Sequence, residues 1–154
     1  KTAALIAACC EAGARSAGAN ELQANAFKMF GHFTGMAFQI KDDLFDFGFG
    51  GAIGKPTGID IRERKMTLPL IYALDRAAPS VKKQMISLIQ NHNKEKQAIA
   101  RLVQFIVDSG GIEYAKTRMN QLAQQAQESL NDIPPSVYKD QLIKLLRYAI
   151  ERTH

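Results

Sequence analysis

The residues best suited to chemistry lie in the stretch FQIKDDLFDF, residues 38–47, where three aspartates stand among apolar side chains. Gln39, Asp42, Asp43 and Asp46 follow the spacing i, i+3, i+4 and i+7, which places four oxygen-bearing side chains on one stripe of a helix. Carboxylates at this spacing repel one another, and carboxylates among apolar neighbours are rarely buried without a partner. The stripe therefore predicts a cation that neutralises it.

Oxygen ligands of this kind suit Mg²⁺, which takes one or two carboxylates together with water and substrate phosphates. The stretch holds no His or Cys, which disfavours zinc and copper. For the aspartates alone, a solvated acidic helix face is an equally good interpretation. The segment that follows favours the metal, because residues 48–66 combine five glycines with Lys55, Arg62, Arg64 and Lys65. Open backbone N–H groups and cations beside a magnesium site are what a diphosphate requires.

The elements that must position these residues are predicted to be helices, so the fold class is all-α, a helical bundle in one domain. Gly31 and Gly35 lie four residues apart and predict a close approach by a second helix. Residues 48–66 are predicted to form a long loop. The predicted helices run over 1 to about 17, 21 to about 47, from 67, 79–92, 94–108, 112–131 and from Pro134 onward. The last helix is predicted to bury Leu142, Leu145, Leu146, Ala149 and Ile150.

Composition limits the function classes. The chain has 154 residues, 46% of them hydrophobic and 23% charged, which predicts a globular protein. Its net charge of +5 comes from dispersed basic residues, which disfavours a nucleic-acid module and suits anionic phosphates. The adjacent Cys9 and Cys10 offer no C-x-x-C pattern, so we expect a reducing, cytoplasmic compartment. No apolar run is long enough to predict a membrane span.

Several motifs together resemble the trans-isoprenyl diphosphate synthases, or polyprenyl synthetases. FQIKDDLFDF followed by GKPTGIDIRERKMTLPLI is similar to the second aspartate-rich motif and loop of that family. KTAAL at residues 1–5 is similar to its lysine–threonine motif. SGGIEYA at 109–115 and YAIER at 148–152 match its C-terminal pattern. The resemblance covers essentially the whole chain.

The resemblance implies an all-helical enzyme that joins an allylic diphosphate to isopentenyl diphosphate with the help of Mg²⁺. It assigns the metal to the second aspartate-rich motif, with Asp42 as the direct ligand and Asp43 and Asp46 assisting directly or through water. The allylic diphosphate would contact Lys1 and Lys55, with help from Lys65. Thr2 and Gln39 would line the region of the carbocation, so the implied catalytic residues are Lys1, Thr2, Gln39 and Lys55.

The sequence also departs from the family pattern. It contains one D-D-x-x-D motif where the family has two, so residues 1–154 are expected to be the C-terminal half of a synthetase domain, with little activity alone. Arg64 stands where the family commonly has Gly, which weakens a direct phosphate role for Lys65 and predicts a stiffer loop.

The amino-acid sequence of the loop segment, GKPTGIDIRERKMTLPLI, favours an octaprenyl-type product. The resemblance also implies a homodimer with possible peripheral membrane contact. A terpene cyclase of the same fold and a non-catalytic subunit of a heteromeric synthase are the alternatives.

Overall fold

A computed structural model describes residues 1–48 and 58–152 of the chain. In this part of the chain the backbone forms helices and turns and no strand, which confirms the all-α prediction. The helices are α1 (Thr2–Ser16), α2 (Glu21–Phe45), α3 (Ile59–Arg62), α4 (Leu68–Arg76), α5 (Pro79–Asn91), α6 (Lys96–Asp108), α7 (Gly111–Ser129) and α8 (Val137–Glu151).

The helices fall into two compact units. The first contains residues 1–41 and 118–152, and the second contains residues 42–117. In the first unit, one buried cluster contains Phe30 of α2, two alanines of α7, Leu130 just after α7, and Leu146 of α8. In the second unit, the largest fully buried side chains include Ile61, Leu70, Leu102 and Ile106. Each unit thus buries apolar side chains from several helices, as an amphipathic helix requires.

Local sequence explains where several helices begin. Asn20 and Gln23 form a reciprocal cap at the start of α2: the backbone N–H of Gln23 donates to Asn20 Oδ1 at 2.9 Å, and that of Asn20 donates to Gln23 Oε1 at 3.1 Å. Ser136 caps α8 by accepting from the backbone N–H of Lys139 at 3.2 Å. Pro69 lies in the first turn of α4, where its missing N–H costs no hydrogen bond.

The two glycines of α2 permit the predicted close approach, and the approaching helix is α1. A Cβ at Gly35 would lie 2.6 Å from the Cα of Ala3, and one at Gly31 would lie 2.8 Å from the carbonyl oxygen of Ile6. Only hydrogen at these Cα positions allows the two backbones of the first unit to pack at this distance. This contact fixes α1 against the segment of α2 that leads to the aspartate-rich motif.

Two predictions are wrong. The predicted loop over residues 48–66 contains a helix, α3, at Ile59–Arg62. Leu145, predicted to be buried in α8, is 60% exposed, whereas its neighbour Leu146 is buried. The apolar stripe of α8 is therefore narrower than predicted and follows Leu142, Leu146, Ala149 and Ile150.

Candidate functional site

Lys65 and two acidic side chains form the charged centre of the second unit. Asp43, near the end of α2, is 7% exposed. The Nζ of Lys65 donates to Asp43 Oδ1 at 2.8 Å. The same ammonium donates to both carboxylate oxygens of Asp60 at 3.4 and 3.3 Å. A cation 22 residues away in sequence therefore neutralises the buried aspartate, which the adjacent sequence did not reveal.

Asp46 organises the backbone that brings Lys65 and Asp60 to Asp43. Its Oδ1 accepts from the backbone N–H of Ile59 at 2.8 Å, and its Oδ2 accepts from that of Asp60 at 3.0 Å. These are N–H groups at the start of α3, where no intrahelical acceptor exists. Gly58, the N-cap residue, has φ +80° and provides no side chain for the task. Asp46 thus caps α3 although it is distant from that helix in sequence, and its hydrogen bond to the backbone of Asp60 fixes the position of that residue.

The electrostatics follow from burial and charge. Burial raises the pKa of Asp60, and the nearby Lys65 ammonium only partly offsets this effect. Burial by itself would lower the pKa of Lys65, but hydrogen bonding and charge from Asp43, together with Asp60, outweigh it and raise that pKa. Lys65 is therefore held in its protonated form between the two carboxylates.

The donor chemistry of the motif fits Mg²⁺ through its first two aspartates. Asp42 is half-buried on α2 next to Asp43, and both side chains are carboxylates, the ligand type that Mg²⁺ prefers. Both oxygens of Asp46 already accept backbone N–H groups. Within residues 1–48 and 58–152, no three His, Cys, Asp or Glu side chains come close enough together to hold a metal ion. Mg²⁺ needs only one or two carboxylates when water and substrate phosphates complete its shell.

The first unit brings together two other residues predicted for the site. The hydroxyl of Thr2, in the first turn of α1, donates to Gln39 Oε1 on α2 at 3.2 Å. Lys1 is the N-cap residue of α1 and is exposed. Lys55 lies outside the described residues. Asp60, the aspartate of the quoted GKPTGID stretch, had no predicted role, because its contacts depend on the fold of α3.

Arg64 explains why glycine suits its position. It adopts φ +57°, in the left-handed region that disfavours side chains with a Cβ. Its Nη2 donates to the backbone carbonyl of Gln90 at 2.8 Å. The turn between α3 and Lys65 therefore requires a left-handed residue, and this chain supplies an arginine whose side chain is hydrogen-bonded to α5.

Comparison with known proteins decides the family. The model of the family described as polyprenyl synthetase matches residues 1–106. The chain belongs to the polyprenyl synthetase family. Among the relatives of this chain is the short chain isoprenyl diphosphate synthase of Methanothermobacter thermautotrophicus, 34% identical over 100% of the chain and 47% of the relative.

Solved structures agree with the assignment. The chain is similar to the decaprenyl diphosphate synthase from Rhodobacter capsulatus, with a TM-score of 0.91 and 33% identity over 100% of this chain and 48% of that one. It is also similar to a polyprenyl synthase from Caulobacter crescentus complexed with calcium and isoprenyl diphosphate, with a TM-score of 0.84 and 31% identity over 97% of this chain and 46% of that one. The chain spans about half the length of the relatives it matches.

Proposed function

We propose that this chain carries metal- and diphosphate-binding residues of a prenyltransferase that condenses an allylic prenyl diphosphate with isopentenyl diphosphate. The observation that carries the proposal is the arrangement around Asp43. A buried carboxylate, a protonated lysine and a second carboxylate lie within hydrogen-bond distance, held by the cap that Asp46 gives to α3. A charged cluster of this kind in a family of prenyl diphosphate synthases supports ionisation of a diphosphate ester.

The proposed roles divide between metal and diphosphate. Asp42 and Asp43 would hold Mg²⁺, and Asp46 would assist through the backbone it caps. Mg²⁺ when bound supplies positive charge that stabilises the departing diphosphate. The Caulobacter polyprenyl synthase, complexed with calcium and isoprenyl diphosphate, supports a divalent cation. Lys65 keeps Asp43 and Asp60 together, and its ammonium is also a candidate donor to the diphosphate.

The remaining predicted residues serve the reacting carbon and its leaving group. The ammonium groups of Lys1 and Lys55 would bind diphosphate oxygens. The oxygens of Thr2 and Gln39, joined by their hydrogen bond, would stabilise the positive charge of the allylic cation. The double bond of isopentenyl diphosphate then attacks this cation. The proton leaves to the released diphosphate, because the motif contains no His or Glu that could act as a base.

Finer features of the proposal concern the full-length protein. We propose residues 1–154 as the C-terminal half of the synthetase domain, with an octaprenyl-type product. The named relatives range from a short chain synthase to a decaprenyl synthase, so product length needs measurement. A homodimer in the cytoplasm with peripheral membrane contact remains part of the proposal. No helix in the described part of the chain is long and apolar enough to cross a membrane.

The test is a prenyl-transfer assay on the full-length protein with farnesyl diphosphate, isopentenyl diphosphate and Mg²⁺, with products resolved by mass. We expect a ladder that rises in five-carbon steps and stops at the product length. Asp42→Asn should lower the rate by about 100-fold or more, because it removes a carboxylate from the proposed metal site. Asp75→Asn, an exposed aspartate of α4, is the matched control and should keep the wild-type rate.

Other outcomes identify the alternatives. Release of diphosphate from the allylic substrate without consumption of isopentenyl diphosphate would indicate a terpene cyclase. No consumption of either substrate would indicate a non-catalytic subunit. Wild-type activity in Asp42→Asn would contradict the assigned metal site while leaving the reaction itself intact.

A further inference from the structure

A surface cavity of about 630 Å³, open to solvent, is formed by residues of the second unit at the end of α4, the first turns of α5 and the second half of α6. Its apolar surface includes the buried Met85, the half-buried Phe105 and the exposed Val81. The volume falls in the range of small-molecule sites in proteins, about 300 to 1,000 Å³. Within the described ranges, none of the residues predicted for the metal or the diphosphate lines it.

Two arginines give this cavity its charge. Arg76, at the end of α4, and Arg101, on α6, both line it and are both exposed. Neither forms a salt bridge with another residue of the described ranges, and Arg76 lies with its guanidinium carbon 5.1 Å from the ring centroid of Tyr72. The cavity also contains Asp108, whose Oδ1 accepts a hydrogen bond from Gln104 Nε2 at 2.7 Å. The lining therefore carries more positive than negative charge.

The combination of arginines and apolar side chains in the lining favours a ligand that has both an anionic group and an apolar part. A guanidinium offers a planar pair of N–H donors that matches the oxygens of a phosphate group. The contact of Arg76 with the Tyr72 ring restricts the motion of its guanidinium. Phe105 provides an aromatic ring and Val81 an exposed branched side chain, and both offer apolar surface to an alkyl chain. A simple anion would leave this apolar surface unused, and a neutral lipid would leave the two arginines unused.

We propose that the cavity lined by Arg76 and Arg101 binds an amphiphilic phosphate ester, with a phosphate or diphosphate head at the arginines and an apolar tail along Val81 and Phe105. This site is additional to the aspartate-rich motif and needs no metal ion. The head and tail are shared by a soluble prenyl phosphate and by a phospholipid. The proposal stands on the cavity itself and does not depend on the proposed prenyl transfer.

Isothermal calorimetry on the full-length protein tests the proposal, with farnesyl monophosphate as the probe and EDTA in the buffer. EDTA removes Mg²⁺, so binding through metal at the aspartates does not contribute. We expect the double variant Arg76→Gln/Arg101→Gln to weaken binding about tenfold or more, because it removes both guanidinium donors to the phosphate head. Arg147→Gln, an exposed arginine of α8, is the matched control and should bind as the wild type does.

Further probes separate the head from the tail. Inorganic phosphate and farnesol should each bind about tenfold more weakly than farnesyl monophosphate, because each engages half of the lining. Val81→Asp, which adds a carboxylate to the same cavity, should abolish binding while the thermal unfolding midpoint shows that the variant is folded. Equal affinity of the double variant and the wild type would overturn the proposal, as would equal affinity for inorganic phosphate and the ester.

The source of the ester is decided with sedimentation on phosphatidylserine vesicles. Vesicle binding that the double variant loses identifies a phospholipid as a ligand and supports the proposal. Binding to farnesyl monophosphate alone, again lost in the double variant, supports it with a soluble prenyl phosphate as the ligand. Sedimentation or calorimetry that responds equally to Arg147→Gln would show a diffuse charge effect and overturn the proposal.

Discussion

At the scale of single residues, substitutions of Arg64 test whether its left-handed backbone conformation is strained by the presence of a side chain. Its φ of +57° carries the steric cost of a left-handed residue, about 1 to 2 kcal/mol. We expect Arg64→Gly to be more stable than Arg64→Ala by about 1 kcal/mol, because both lose the hydrogen bond to Gln90 and only glycine relieves the backbone. Urea unfolding of the two variants measures the difference.

The control is a position inside a regular helix, where the alanine variant should be more stable than the glycine variant. Arg147 is exposed within α8. There, Arg147→Ala should be more stable than Arg147→Gly by about 1 kcal/mol, as helix propensity dictates. Equal stability of Arg64→Ala and Arg64→Gly would contradict the assigned strain.

Lys65 tests the charge pairing around the buried Asp43. Lys65→Met should lower the free energy of unfolding by about 1 to 3 kcal/mol at neutral pH, because it removes a cation 2.8 Å from a carboxylate that is 7% exposed. Lys65→Arg should retain part of the stability. The control Lys83→Met, an exposed lysine of α5, should change stability little. Urea unfolding of the four proteins provides the comparison.

The pH dependence of the same variant has a definite sign. The pKa of Lys65 is raised in the folded state, mainly because Asp43 and Asp60 outweigh its burial. Its stabilising contribution is therefore complete below the ordinary lysine pKa and is lost as the pH rises through the raised value. Wild type should lose this stability in the alkaline range, and Lys65→Met should not. Parallel alkaline profiles would contradict the ion pair.

At the scale of elements, the packing of α1 on α2 depends on two missing side chains. An added Cβ at Gly35 would lie 2.6 Å from the Cα of Ala3, which is backbone that cannot move aside alone. Gly35→Ala should therefore destabilise the protein by about 1 to 3 kcal/mol. It should also disturb the hydrogen bond of Thr2 to Gln39, because that bond joins the same two helices. Thermal and urea unfolding check the first effect.

Gly13 on α1 is the matched control for this substitution. A Cβ there meets nothing within 4 Å. Gly13→Ala should stabilise the protein by about 0.5 to 1 kcal/mol through helix propensity. Destabilisation of similar size at Gly13 and Gly35 would show that the close approach of the helices is not the cause.

The comparison of α2 with α3 shows which elements a sequence can reveal. The start of α2 follows from Asn20 and Gln23, which lie three residues apart and cap each other, so local pattern was sufficient. The start of α3 depends on Asp46, which is 13 residues away from Ile59. The glycine-rich sequence there predicts a loop. The short helix could not be predicted, because the acceptor that makes it possible lies outside any local window of the sequence.

The same distinction applies to the site across the whole molecule. The stripe of Asp42, Asp43 and Asp46 followed from helical spacing, and the family followed from the motifs around it. The pairing of Lys65 with Asp43 and Asp60, and the capping role of Asp46, required the chain to fold back on itself. Spacing along one helix predicts which side chains share a face, but tertiary contacts decide what neutralises them.

At the scale of the whole molecule, the full-length protein should be stabilised by its proposed ligands. A ligand that binds only the folded state stabilises it by about 2.7 kcal/mol at a concentration 100 times its dissociation constant. Farnesyl diphosphate with Mg²⁺ should therefore raise the thermal unfolding midpoint of the wild type. Asp42→Asn should lose the Mg²⁺-dependent part of this increase, because the variant lacks a proposed metal ligand, and Asp75→Asn should retain it. An increase that is the same with Mg²⁺ and with EDTA, or the same in Asp42→Asn and the wild type, would contradict a role of the aspartates in binding the diphosphate through Mg²⁺.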